Sequence, residues 1–178
     1  VVAAGAPIVV IFRMKTSAGI KRHTTAAVRD LIDALNGSNA HASFEDAVRN
    51  IRQDLLGEVP EGLPYSIWQL VEHIRITQWD ILEFSRKADH VSPEWPKGYW
   101  PSDKAPAHPK DWDRSLEQIA ADRKAFIGLL QKAGEAIYTP FSYGDGQSLF
   151  REAVLIVDHT SYHTGEIIVI RRLLKDWK

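Results

Sequence analysis

The chain has no cysteine. That absence removes disulfides, thiolate metal sites and a cysteine nucleophile, and leaves any metal to imidazole and carboxylate ligands. It also fits a cytoplasmic setting, the location expected. An excess of either charge is missing too: 22 Lys and Arg stand against 23 Asp and Glu, for a net charge of −1. A protein that tracks a phosphate backbone needs a basic stripe, so nucleic acid is not an expected partner. A spanning helix needs about 20 apolar residues, and the apolar run Val1–Phe12 falls short, so no membrane association is expected. No positive segment precedes that run, which makes it a poor signal peptide. Met14 follows closely, so residues 1–15 read as an N-terminal extension or cloning scar. If ordered, the apolar run is expected to pack on a hydrophobic surface.

Several catalytic signatures are absent. Without Glu-x-x-His there is no ferritin-like di-iron site, and without His-Glu-x-x-His no metalloprotease helix. Without Gly-x-Ser-x-Gly there is no nucleophile elbow. Period-two alternation is confined at most to residues 8–12, and there are no internal repeats. Strands are therefore not expected to organise the fold.

Helical periodicity fills the chain instead. Val28, Leu31, Ile32 and Leu35 recur at helical spacing from Thr24, and Asn36-Gly37 ends that segment. Ser43 caps a continuation carrying Phe44, Ala47, Val48 and Ile51, so the first helix is either broken at Gly37 or two helices. Ser66-Ile67-Trp68-Gln69 is a capping box that opens the second long helix, to about Ala88. The third runs from Asp111 to about Ala133 and the last from Ser148 to about Leu174. Between the second and third lies a long stretch, 90–110, interrupted by Pro93, Pro96, Pro101 and Pro106. Prolines at this density forbid regular structure. Its aromatics Trp95, Tyr99 and Trp100 are expected to pack, as a plug on one end of the molecule or as a ligand-contacting lid. At 178 residues and 44% hydrophobic content, residues 16–178 are expected to form a single all-α domain with one core.

Polar residues on the apolar stripes carry the chemistry. In the last helix, Ile156, His163, Ile167 and Ile170 point within about 40° of one direction, with His159 on the shoulder at about 60°. Glu152 shares that stripe. With seven His in the chain, an i,i+4 pair arises about 0.3 times by chance, so the pair alone is also explained by two core histidines bonded to the backbone or to carboxylates. His73, on the edge of the second helix's stripe, reads alone as a partly exposed helix histidine. If His73 meets His159 and His163, three neutral nitrogens suit a divalent ion such as Zn²⁺ or Ni²⁺ and leave coordination positions open. Glu152, Asp158 and Glu166 are candidates for orienting the imidazoles.

These residues carry a resemblance. Leu70-Val71-Glu72-His73-Ile74, Pro64-Tyr65-Ser66-Ile67-Trp68-Gln69-Leu70, Gln78-Trp79-Asp80-Ile81-Leu82, Gly144-Asp145-Gly146-Gln147 and Asp158-His159 through His163-Thr164-Gly165 are similar to the DinB/YfiT-like superfamily over roughly residues 40–175. The resemblance implies an up-down-down-up four-helix bundle, with the long aromatic loop between the second and third helices as this chain's own feature. It implies one divalent metal, zinc or nickel, on His73, His159 and His163. Characterised members include transferases and an isomerase that use low-molecular-weight thiols. A metal-dependent S-transferase activating a small thiol is thus the expected function, with Glu166 or Glu152 as proton acceptor and a small molecule as substrate. A metal-dependent hydrolase and a non-catalytic, stress-related ligand-binding bundle with a structural metal are the alternatives, and a homodimer is the assembly expected by analogy.

Overall fold

The first long helix stops where its side chains stop supporting it. In the computed structural model, which describes residues 17–37 and 40–177, α1 spans Ser17–Leu35. Gly37 follows at φ 74, and a Cβ built there would lie 2.8 Å from the Ser43 Cβ. Glycine thus meets both a left-handed backbone and a close chain crossing. Helix α2, Phe44–Val48, then starts afresh on a complete capping box: Ser43 Oγ accepts from Asp46 N, and the Asp46 carboxylate accepts from Ser43 N. The break at Gly37 therefore separates two helices. The extension 1–15 lies outside the described residues.

Helix α3 (Ile67–Arg86) opens on the Ser66/Gln69 capping box. Helix α4 (Pro109–Ala133) begins with Pro at its first position, where a missing N–H costs nothing, and α5 runs Leu149–Leu173 behind the N-cap Ser148. These five α-helices, with three short 3-10 segments, make the described residues all-α, without a strand among them. Helix α3 is central, packing against both α4 and α5.

The apolar side chains form two clusters. One joins Phe44, Val48, Leu56, Ile67, Leu70 and Ile74 to Trp112, Ile119, Ile167 and Ile170. The other joins Leu31 and Leu35 to Ile81, Leu82, Phe126, Leu130, Ile137 and Ile156. Helices α3, α4 and α5 each contribute to both, and between the two contributions each carries buried polar groups. On α3 this is Gln78, whose Nε2 donates to Ile119 O at 2.7 Å. On α4 it is Asp122, accepting from Gln118 Nε2 at 2.8 Å. On α5 it is the segment His159–Thr164. Buried polar groups need partners, and these find them both across helices, as Gln78 does, and within one helix, as Asp122 does.

Arg171 closes the opposite end. It is 5% exposed, and its guanidinium donates to Ala47 O at 2.7 Å, Arg49 O at 3.0 Å and the Asp176 carboxylate at 2.9 Å. This fork binds the end of α5 to the end of α2, a use of arginine's rigid donor geometry that periodicity does not reveal.

Candidate metal centre

Burial brings the three histidines together. His73, in the second turn of α3, is 3% exposed rather than lying on a solvated edge, because the loop after α3 folds over it. His163 is 7% exposed and His159 is half-buried, one turn away on α5. One ring nitrogen from each of the three lies within 4.8 Å of the others. The closest approach is 3.0 Å, between Nε2 of His159 and Nε2 of His73. Ligands about 2.0–2.1 Å from one tetrahedral ion lie about 3.4 Å apart, so the rings approach that spacing by shifts of about an ångström.

The outer nitrogens decide which atoms face inward. His73 Nδ1 is 2.9 Å from Tyr99 O, and a carbonyl only accepts, so Nδ1 carries the proton and Nε2 keeps its lone pair. His163 Nδ1 lies 2.6 Å from the Glu166 carboxylate, which fixes the second ring in the same way. An acceptor behind each ring that fixes the tautomer is the arrangement that holds imidazole ligands. Burial is the main influence lowering the His73 pKa, with the Tyr99 hydrogen bond acting against it and the His163 imidazole adding to it. His159 is pushed down to about 3, first by burial and then by the two neighbouring imidazoles. Both are neutral at pH 7, the form that coordinates. The donor set therefore fits a divalent ion of the zinc or nickel kind.

The glutamates and the aspartate separate. Glu166 is in the cluster, bonded to His163. Glu152 is 2% exposed and pairs with Arg151 Nη1 at 2.6 Å, two turns before His159 on the helix. Asp158 points to solvent.

Sequence reasoning missed the loop's contribution. Trp100 stacks on the His73 ring, with centroids 3.9 Å apart and planes 6° from parallel, and Tyr65 stacks on the other face of the indole at 3.9 Å. The stack covers the face of the imidazole and leaves its in-plane lone pair free. Tyr99, just before, is held by Asp80: Tyr99 Oη donates to Asp80 Oδ2 at 2.6 Å, and His90 Nε2 lies 2.7 Å from Asp80 Oδ1. Burial, reinforced by Asp80, pushes the phenol up to about 12, so it remains a donor at any ordinary pH. Trp95, by contrast, is 70% exposed and does not pack as its neighbours do. The aromatic, proline-rich composition of the loop was the available signal. Nothing in the sequence links Tyr99 to a histidine 26 positions earlier.

Five helices, two of which bring three largely buried imidazoles together, define an all-α protein with a potential metal centre. The chain belongs to the DinB superfamily, whose family model matches residues 22–167. No curated protein and no solved structure matches it. Among the described residues, no helix is long and apolar enough to cross a membrane.

Proposed function

We propose that this DinB-superfamily protein binds one divalent ion, zinc or nickel, through His73, His159 and His163, and acts as a transferase that activates a low-molecular-weight thiol. One observation carries the reading: Tyr99 O and the Glu166 carboxylate each hold the outer nitrogen of an imidazole, so that the inner nitrogens of His73 and His163 converge with His159. When bound, the ion supplies Lewis acidity that lowers the pKa of a coordinated thiol. Everything else falls to the chain. His73 and His163 are held in their coordinating tautomers, and burial keeps His159 unprotonated. Glu166 reaches both the cluster and the cavity beside it, which makes it the acceptor for the thiol proton; Glu152, committed to Arg151, is the weaker candidate. A chain without cysteine must take its nucleophilic thiol from solution. The frame for this reading is an up-down-down-up four-helix bundle over residues 16–178, with the aromatic loop as one wall. It operates as a homodimer in the cytoplasm, where free thiols stay reduced.

The Trp100 stack over His73 favours a second reading, in which the ion is structural and the bundle binds a ligand without turning it over. A hydrolase would use the same centre with water in place of the thiol. Elemental analysis of the protein beside a His159→Ala/His163→Ala variant tests the centre. The expected result is ~1 zinc or nickel per chain, lost in the variant while helical circular dichroism persists. No bound metal, with no thermal stabilisation by added zinc or nickel, refutes it. Thiol-dependent consumption of an electrophile, abolished by His159→Ala, separates the transferase from the hydrolase and from the structural reading.

A further inference from the structure

Gly165 stands in the interior of α5, two residues after His163, where glycine weakens a helix relative to alanine. Packing does not require it: a Cβ built there meets no heavy atom within 4 Å, and its backbone is not left-handed. What borders it is an apolar cavity of about 310 Å³, walled by Leu63, Tyr65, Leu70 and Tyr162, with Glu166 at its edge. That volume is at the small end of ligand sites. Two walls connect to the histidine cluster, one directly and one through Trp100. Tyr65 stacks on Trp100, which stacks on His73, and the Tyr162 ring lies 5.0 Å from that of His163, at 83°. Tyr162, which lines the cavity, is 65% exposed, a large ring left in water. Among the described residues that line the cavity, Glu166 is the one charged side chain. A carboxylate without a lining cation repels anions and leaves recognition to apolar contact.

We propose that this cavity holds the uncharged, apolar body of the electrophile, lying against the bare backbone of Gly165 between the Tyr65 and Tyr162 rings. The word electrophile rests on the transferase reading; the cavity and its preference for neutral apolar molecules do not. The missing side chain is then the specificity device. It leaves room beside a helix that also carries two of the three histidines, so a molecule seated there lies next to the cluster.

The test uses the neutral fluorophore N-phenyl-1-naphthylamine, displaced by 4-phenylbutyramide or by its anionic counterpart 4-phenylbutyrate. The wild type is expected to bind the probe, and the amide is expected to displace it several-fold better than the acid. Gly165→Leu should weaken probe binding about tenfold or more, with metal content and helicity retained, since leucine favours the helix. Gly165→Ala, the milder change, should weaken it about two- to fivefold and guards against misfolding of the leucine variant. Undiminished binding in both folded variants, or equal displacement by acid and amide, overturns the proposal. So does a wild-type dimer that excludes the probe and dissociates in Gly165→Leu, since a second copy would then cover this face. Metal bound without probe binding removes the cavity assignment alone. Probe binding that responds to Gly165 in a protein that takes up no metal keeps the cavity and removes the transferase.

Discussion

Tyr99→Phe removes one oxygen from the loop that covers His73. In the wild type that oxygen donates to Asp80 Oδ2 at 2.6 Å, with both residues buried, at 9% and 8% exposure. The substitution preserves the ring and its packing, so the change is confined to the hydrogen bond. Asp80 then keeps His90 on one oxygen and loses its partner on the other. A hydrogen bond to a charged group contributes about 1.5–3 kcal/mol, and a buried acceptor left unpaired falls in the same range. For a chain of this size that corresponds to a fall in Tm of roughly 3–12 °C. The loss should reach the metal centre, because the same residue's carbonyl accepts from His73 Nδ1 at 2.9 Å. Loosening such an outer partner lowers metal affinity about 10–100-fold. Thermal unfolding of the metal-free protein reads the first effect and competition with a chelating zinc indicator reads the second. An unchanged Tm would show that the Asp80 network does not hold the loop. A lowered Tm with unchanged zinc affinity would show that the loop does not orient His73.

Other consequences concern separate parts of the molecule. Trp100→Ala removes a half-buried ring stacked on both His73 and Tyr65, and should cost about 3 kcal/mol in urea denaturation; a cost under about 1 kcal/mol would mean the stack is incidental. Arg171→Ala leaves three backbone carbonyls and the half-buried Asp176 carboxylate without their donor, and should destabilise by about 3–5 kcal/mol, again by urea denaturation. Asp122 titrates above its usual 3.8 because it is buried, and its Oδ2 has no partner. A carboxyl raised in the folded state contributes stability below its unfolded pKa and loses it as pH rises through its folded pKa. Asp122→Asn should therefore become progressively more stable than the wild type as pH rises above 3.8, then keep a constant advantage. A difference that stays flat with pH, measured by thermal unfolding, would show that burial does not shift this group.

Local signals in the sequence determined the helices of this protein. The Ser43 and Ser66 capping boxes, Gly37 and the 3.6-residue stripes act within a few residues of themselves, so their reading needs no knowledge of the fold. They marked α3, α4 and α5 to within two residues at each end, while α1 begins at Ser17 rather than Thr24. The pairing of His159 with His163 is of the same kind, fixed by one helical turn. His73 was harder: its own helix places it on a stripe edge, and only the loop residues Tyr99 and Trp100 bury it. The hydrogen-bond chain from His90 through Asp80 and Tyr99 to His73, and the fork of Arg171 on α2, join residues far apart in sequence. So does the cavity beside Gly165, whose walls come from the entry to α3 and from α5. No periodicity encodes such contacts, because they depend on how rigid helices pack and where a proline-rich loop lands on them. Sequence determined which side chains each helix could offer; tertiary packing decided which nitrogens face one another and which backbone carbonyl stands behind them.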